Sequence, residues 1–128
     1  TEKKNITLLY NSRKEKDIIF KKELNSINEK WFKKIYILSK AGKQTKKSKY
    51  EMGRINKEIL TRYLSNFKDK KFYICGPKSM NEQISIALKD LGVKKQDILF
   101  EDFFLVNLSN ILSPFLNKYC KSNDFSRI

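Results

Sequence analysis

The sequence predicts an α/β fold, and three features of its 128 residues carry that expectation. Short apolar runs of strand length alternate with stretches whose apolar residues recur at helical spacing. Turn-prone residues, Asn11-Ser12, Gly53, Gly76-Pro77 and Gly92, stand where one pattern gives way to the other. Length suits one domain, and a hydrophobic share of 40% is enough for a real core. No internal repeat is visible.

Ile6-Thr7-Leu8-Leu9-Tyr10 reads as a short buried strand ending at Asn11-Ser12. Asp17 is placed to cap the next helix, whose face is Phe20, Leu24 and Ile27, with Lys21, Lys22 and Glu29 mostly outside it. Trp31 and Phe32 follow, then a second strand, Ile35-Tyr36-Ile37-Leu38. Residues 39–54 change character. Ser39, Gly42, Gln44, Thr45, Ser48 and several lysines make a polar, basic loop that Gly53 closes. A helix is expected from about Asn56, with Ile59, Leu60, Tyr63, Leu64 and Phe67 as its buried stripe. Asp69-Lys70-Lys71 leads into a third strand, Phe72-Tyr73-Ile74-Cys75, ending at Gly76-Pro77.

Ser79 stands three residues before Glu82, the spacing of a capping box, and opens a further helix. Met80, Ile84, Ala87, Leu88 and Leu91 give that helix its apolar face. Gly92 sits where a left-handed C-terminal cap is wanted. A last strand, Ile98-Leu99-Phe100, runs into Glu101-Asp102-Phe103. The tail, residues 105–128, fits this alternation poorly. Phe103 to Asn117 carries no charge and Pro114 interrupts it, so a short helix or a poorly ordered end is expected.

The net charge is +14, which points either to a partner rich in phosphate or carboxylate or to the codon usage of an A/T-rich genome. Lysine far outnumbers arginine (Arg13, Arg54, Arg62, Arg127), a mixture that favours the second explanation over nucleic-acid binding. A basic nucleic-acid-binding module stays open as an alternative, resting on the charge and on Tyr50, Tyr63 and Phe67 beside lysines. There is no His, which excludes a His-bearing zinc site or a Ser-His-Asp or Cys-His machinery within this chain. Cys75 and Cys120 form no metal spacing; a disulfide stays open, but nothing suggests secretion, and a reducing, cytoplasmic setting is expected. No apolar run approaches the ~20 residues of a membrane-spanning helix. The chain starts Thr1-Glu2-Lys3-Lys4 without an initiating Met, so residues are expected to have been lost upstream.

The informative stretch is Phe72 to Phe103: a strand, a Cys-Gly-Pro turn, a helix and a second strand ending Glu-x-Phe. A turn at the carboxyl end of a parallel strand is where open α/β sheets bind ligands. Gly76 admits close approach to the backbone, Pro77 can open a helix, and the helix start beyond favours negative charge.

Tyr73-Ile74-Cys75-Gly76-Pro77-Lys78-Ser79-Met80 resembles the Cys-Gly-Pro-x-x-Met signature of the ferredoxin–NADP reductase-like flavoproteins, in their C-terminal pyridine-nucleotide domain. Leu88-Lys89-Asp90-Leu91-Gly92-Val93, Ile98 and Glu101-Asp102-Phe103 are similar to that domain's closing helix and strand. Leu8-Leu9-Tyr10-Asn11-Ser12-Arg13, with Phe20 and Glu23-Leu24, is similar to its second strand and helix, and Gly53-Arg54-Ile55 to the Gly-Arg-Ile/Leu before its fourth helix. The resemblance covers roughly residues 5–104. It implies a Rossmann-like doubly wound parallel sheet, ordered 3-2-1-4-5, over a partial NAD(P)-binding domain spanning 1–104. The family's first strand and its Gly-rich turn, roughly Gly-Gly-x-Gly-x-Thr-Pro, have no counterpart here. The sheet is therefore expected to be incomplete at its centre, and this piece alone neither to bind flavin well nor to turn over.

The resemblance also implies roles. Cys75 lies near the nicotinamide ring, Gly76 and Pro77 line the dinucleotide path, and Met80 stands at the pocket edge. Ser12 and Arg13 sit by the adenosine ribose, where a guanidinium can pair with a 2′-phosphate. Glu101 and Phe103 face the flavin. The cofactors implied are NAD(P)H and FAD, the latter bound mainly by a flavin domain of the same parent chain. The basic loop Lys40–Lys49 is read first as a solvated loop and alternatively as a dock for an acidic electron carrier such as ferredoxin or flavodoxin. Each residue also has a plainer reading: Cys75 as a small buried side chain, Met80 as core, Arg13 as a solvated charge, Glu101 as a strand-end charge, Arg54 as a helix cap, Ser79 as a helix cap.

Overall fold

The computed structural model describes residues 4–40 and 49–102, with the backbone alone for 101–102. These residues divide into two compact units, one reaching to Arg54 and one beginning at Ile55. The part of the basic loop at 41–48, Phe103 and the tail 105–128 lie outside the described residues.

In the first unit, β1 (Ile6–Ser12) pairs in parallel with β2 (Phe32–Leu38) along its whole length, from Ile6↔Phe32 to Ser12↔Leu38. A two-residue strand, β3 (Glu51–Met52), adds to the other edge of β2 through Ile37↔Glu51 and Leu38↔Met52. Ile35, Tyr36, Ile37 and Leu38 are all buried in succession, so both faces of β2 are covered, as a central parallel strand requires. A strand pair of this kind needs a crossover, and helix α1 (Lys21–Ser26) lies in it, burying Leu24. Lys34 donates from Nζ to the Leu24 and Ile27 carbonyls at 2.8 and 2.7 Å, closing the helix's C-terminal end. Burial lowers the pKa of that ammonium.

Asp17 does not cap α1. It ends a 3-10 turn at Glu15–Asp17, and the helix starts only at Lys21, after Phe20 at φ 57°. The intervening chain is already committed: Ile18 is buried with its N–H on the Glu15 carbonyl, and Ile19 N–H donates to the Tyr10 hydroxyl at 3.2 Å.

The second unit contains α2 (Lys57–Tyr63), β4 (Phe72–Gly76), α3 (Lys78–Asp90) and β5 (Ile98–Asp102). β4 and β5 are parallel, from Phe72↔Ile98 to Gly76↔Asp102. Asn56 caps α2 as expected: its Oδ1 accepts from Ile59 N–H at 2.9 Å. The stripe is cut short, however, because α2 ends at Tyr63. Phe67 falls in a separate 3-10 turn, where its ring stacks on Phe72 at 6.0 Å.

Helix α3 ends as its sequence predicts. Gly92 has φ 91°, its N–H donates to the Lys89 carbonyl, and Val93 N–H donates to the Leu88 carbonyl, each at 3.0 Å. That is the Schellman pattern, completed by buried Val93 and Leu88. Its start differs from expectation. Pro77 is the N-cap and Asn81 N–H to the Pro77 carbonyl, at 3.0 Å, is the first helical bond, so Ser79 lies inside the first turn and makes no capping bond. The buried face is also rotated. Ile84 and Leu88 are buried as predicted, but Asn81 and Ser85 join them, while Met80, Ala87 and Leu91 are only half-buried. All three strand pairs are parallel, which meets the α/β expectation.

Candidate functional site

Two strand ends, one in each unit, carry the candidate residues. In the second unit, β4 delivers Cys75 and Gly76 to the start of α3, with Pro77 as the joint. Pro suits that joint because its fixed φ prepares the helical turn and its missing N–H is not needed there. Cys75 is half-buried, and in the ladder its backbone faces Glu101, as Gly76 faces Asp102.

Gly76 is needed for a reason the sequence does not state. A Cβ on it would lie 2.0 Å from Met80 Cε and 3.1 Å from Sδ, so the Met80 side chain rests against the Gly76 α-carbon. The close approach foreseen for a ligand is made in this structure by Met80. The bend is also held by Asn81, 1% exposed, whose Nδ2 donates to the Gly76 carbonyl at 3.1 Å. The N-terminus of α3 beyond the bend carries the free amides and positive dipole end that attract an anion.

In the first unit, the ladder between β1 and β2 continues past both strands. Ser39 N–H donates to the Ser12 carbonyl at 2.9 Å and Lys40 N–H to the Arg13 carbonyl at 2.8 Å. This pairing sets Arg13 and Lys40, 27 residues apart in sequence, side by side. With Lys14, Lys16 and Asp17 they line an open pocket of about 390 Å³. Four cations and one carboxylate make it strongly positive. Ser12 Oγ turns back to donate to the Lys14 carbonyl at 3.2 Å.

Next to that pocket, Tyr10, Tyr36 and Tyr50 form a chain of rings, with centroids 6.3 and 6.2 Å apart. Tyr50 donates to Glu15 Oε1 at 2.6 Å, and Lys21 Nζ pairs with the same oxygen. The hydrogen bond from Lys21, then that from Tyr50, hold the exposed Glu15 carboxyl below its ordinary pKa. Tyr50 and Phe67 are thus engaged with protein partners, Tyr50 with Tyr36 and Glu15 and Phe67 with Phe72. Each ring therefore has one side engaged with a protein neighbour, which leaves less of it for stacking on bases.

The structure therefore gathers Cys75, Gly76, Pro77 and Met80 at one bend and Ser12 and Arg13 at another strand end. The backbone of Glu101 lies beside Cys75; its side chain and Phe103 are outside the described residues. Sequence reading missed Lys40 and Lys16 as pocket residues and Asn81 as the holder of the bend. Only Asn81 left a signal: a polar residue three before Ile84 and seven before Leu88, on the helix's apolar face. Among the described residues no group of His, Cys, Asp or Glu could hold a metal ion, and no helix is long and apolar enough to cross a membrane.

Parallel strands that end in a Gly-Pro bend at a helix start, with a basic pocket at the end of another parallel strand, are the marks of an α/β nucleotide-binding domain. The chain belongs to the oxidoreductase NAD-binding domain family, whose pattern matches residues 1–85. The resemblance to the ferredoxin–NADP reductase-like flavoproteins is borne out at the level of that domain. One component of the Na(+)-translocating NADH-quinone reductase of Serratia proteamaculans is 32% identical over 107 residues, covering 79% of this chain and 26% of its own length. NADH-cytochrome b5 reductase 2 of Debaryomyces hansenii is 33% identical over 111 residues, covering 76% of this chain and 37% of its own. The chain spans 26% and 37% of these two relatives. Among solved structures, the flavohem-like FAD/NAD-binding domain of nitric oxide dioxygenase from Vibrio cholerae matches with a TM-score of 0.65 at 23% identity, over 76% of this chain and 38% of that one. The CS-b5R domains of human Ncb5or, in the NAD+ form, match with a TM-score of 0.67 at 24% identity, over 76% and 28%. At these identities the two structures share the fold.

Proposed function

We propose that this chain binds NAD(P)H and presents its nicotinamide to FAD held by a flavin domain of the same parent protein, as the NADH-binding part of a flavin-dependent reductase. One observation carries the reading: in a chain of this family, the Cys75-Gly76-Pro77 bend sits at the carboxyl end of a parallel strand and opens a 13-residue helix. The residues present suit parts of a dinucleotide taken separately: Arg13, Lys14, Lys16 and Lys40 offer cations for phosphate, and at the Gly76 bend the Met80 side chain lies where a ring would approach. When bound, the nicotinamide supplies a hydride and the flavin accepts it.

This chain's own work is orientation. Cys75 lies at the nicotinamide, Gly76 and Pro77 line the path of the dinucleotide, and Met80 forms the movable edge of its pocket. Ser12 and Arg13 stand by the adenosine ribose, joined by Lys40. Glu101 and Phe103 face the flavin. The relatives' names specify NADH, whereas Arg13 and Lys40 also suit a 2′-phosphate. The partial nucleotide domain runs over residues 1–104. A cytoplasmic setting suits the cysteine usage, and the lysines from Lys40 to Lys49 suit an acidic electron carrier such as ferredoxin or flavodoxin.

The test is titration of the protein with NADH and NADPH, followed by fluorescence, with NADH oxidation measured in the flavin-loaded protein that carries this chain. Saturable binding of one nucleotide and flavin reduction by it are expected. No binding of either would remove the proposal. Unequal affinities decide between the two cofactors.

A further inference from the structure

Asn81 is the most buried polar residue among the described residues of the second unit, at 1% exposure, and it lies one turn inside α3. Burying an amide donor is costly unless it is bonded, and the Asn81 Nδ2 is bonded. Apolar residues would fill the same place in a helix face more cheaply. Asn81 makes two bonds to the joint between strand and helix. Its backbone N–H donates to the Pro77 carbonyl at 3.0 Å and its Nδ2 donates to the Gly76 carbonyl at 3.1 Å. Two consecutive carbonyls of the bend are therefore fixed by one residue. Met80 also rests against Gly76, its Cε lying 2.0 Å from where a Cβ would stand.

This arrangement has a geometric consequence. Gly76 is the last residue of β4, and Pro77 after it has φ −57°, fixed by its ring, which also disfavours the helical region for Gly76. Within the extended range left to Gly76, its carbonyl can still tilt, and with it the face that the bend shows at the sheet's end. The Asn81 side chain narrows that remaining freedom.

We infer that Asn81 is a positioning residue: it touches no ligand, but its side-chain amide locks the Gly76-Pro77 peptide and thereby sets the placement of Cys75 against the nicotinamide. The inference rests on the proposed function, since it needs a nicotinamide at the bend. It predicts that Asn81 acts on the rate of hydride transfer more than on nucleotide affinity, because binding draws on the whole dinucleotide while the rate depends on the placement of its ring. A misplacement of this kind costs on the order of tenfold to a hundredfold in rate.

The experiment compares wild type, Asn81→Ala and Asn81→Asp in the flavin-loaded protein that carries this chain, with NADH as the probe. Hydride transfer is read by stopped-flow flavin bleaching, affinity by NADH titration and folding by circular dichroism. The expected result is an Asn81→Ala variant that is folded, binds NADH within about threefold of wild type, and transfers hydride roughly tenfold or more slowly. Asn81→Asp separates positioning from packing. Its ionised carboxylate cannot donate to the Gly76 carbonyl, but the protonated acid can. Its rate is therefore expected to rise toward wild type as pH falls, while the Asn81→Ala rate, referred to wild type at each pH, stays flat. A folded Asn81→Ala variant with wild-type rate overturns the inference. So does an Asn81→Asp profile parallel to that of wild type. Should Asn81→Ala not fold, the Asn81→Asp profile decides alone. Wild type that binds no NADH sinks the nucleotide-binding reading itself, which distinguishes that failure from this one.

Discussion

The carboxyl ends of β1 and β4 solve the same local problem in opposite ways. Both strands are parallel and apolar, and both must turn at their ends. After β1 the chain stays open: Arg13, Lys14, Lys16 and Lys40 are exposed, and they surround solvent. After β4 the chain closes at once: Gly76 is buried, Met80 lies on it and Asn81 holds it. One end offers charged side chains on flexible stems, the other offers backbone fixed in place. The open end suits a charged group that tolerates movement; the closed end suits contacts that must be held still.

That contrast can be tested in order of expected effect. Leu88 is fully buried in α3, and Leu88→Ala should destabilise the protein by about 2–5 kcal/mol, read from the denaturation midpoint. A loss below about 1 kcal/mol would mean that the rigid end is not packed as described. Gly76→Ala should cost about 1–3 kcal/mol, because its new Cβ must expel the Met80 methyl. The double change Gly76→Ala with Met80→Ala should cost less than the sum of the two singles, and strict additivity would argue against that contact. Cys75→Ser should slow hydride transfer about tenfold, some ~1.4 kcal/mol, without changing the fold; wild-type kinetics would take the thiol away from the nicotinamide. Arg13→Ala and Lys40→Ala should each weaken NADPH more than NADH, by about 1 kcal/mol or less for such exposed cations. Equal losses would remove the ribose-phosphate role.

The smallest effect concerns Glu15. Its folded pKa lies below its unfolded value, so the tie to Lys21 and Tyr50 is present above the ordinary carboxylate range and is lost as pH falls through the depressed folded value. Tyr50 resonances followed by NMR should shift in that acid window and not near neutrality. A shift centred near neutral pH would point to another group.

Much of the fold was legible because its signals are local. The apolar runs placed β1, β2, β4 and β5 to within a few residues, and the Asn56 and Gly92 caps each depend on a single residue type at a single offset. Failures came where a neighbour in space decides. Asp17 was the better N-cap by type, but the buried Ile18 and the hydroxyl of Tyr10 fix the chain before the helix can start. β3 has no apolar pattern, and only its pairing with Ile37 and Leu38 makes it a strand. Of the site, the bend was legible because Cys75, Gly76 and Pro77 adjoin. Lys40 was not, since its place beside Arg13 comes from strand register, and in sequence it reads as one lysine among many.

The stretch from Arg13 to Glu15 receives both borders of the lysine-rich insert between β2 and β3. Lys40 bonds to the Arg13 carbonyl on one side, and Tyr50 bonds to the Glu15 carboxylate on the other. A span fastened at both ends to one short anchor can change length cheaply: doubling it raises the closure entropy by only about 0.6 kcal/mol. Inserting several Gly and Ser residues between Gly42 and Ser48 should therefore cost about 1 kcal/mol or less in the denaturation midpoint, leaving sequence there free to vary in length.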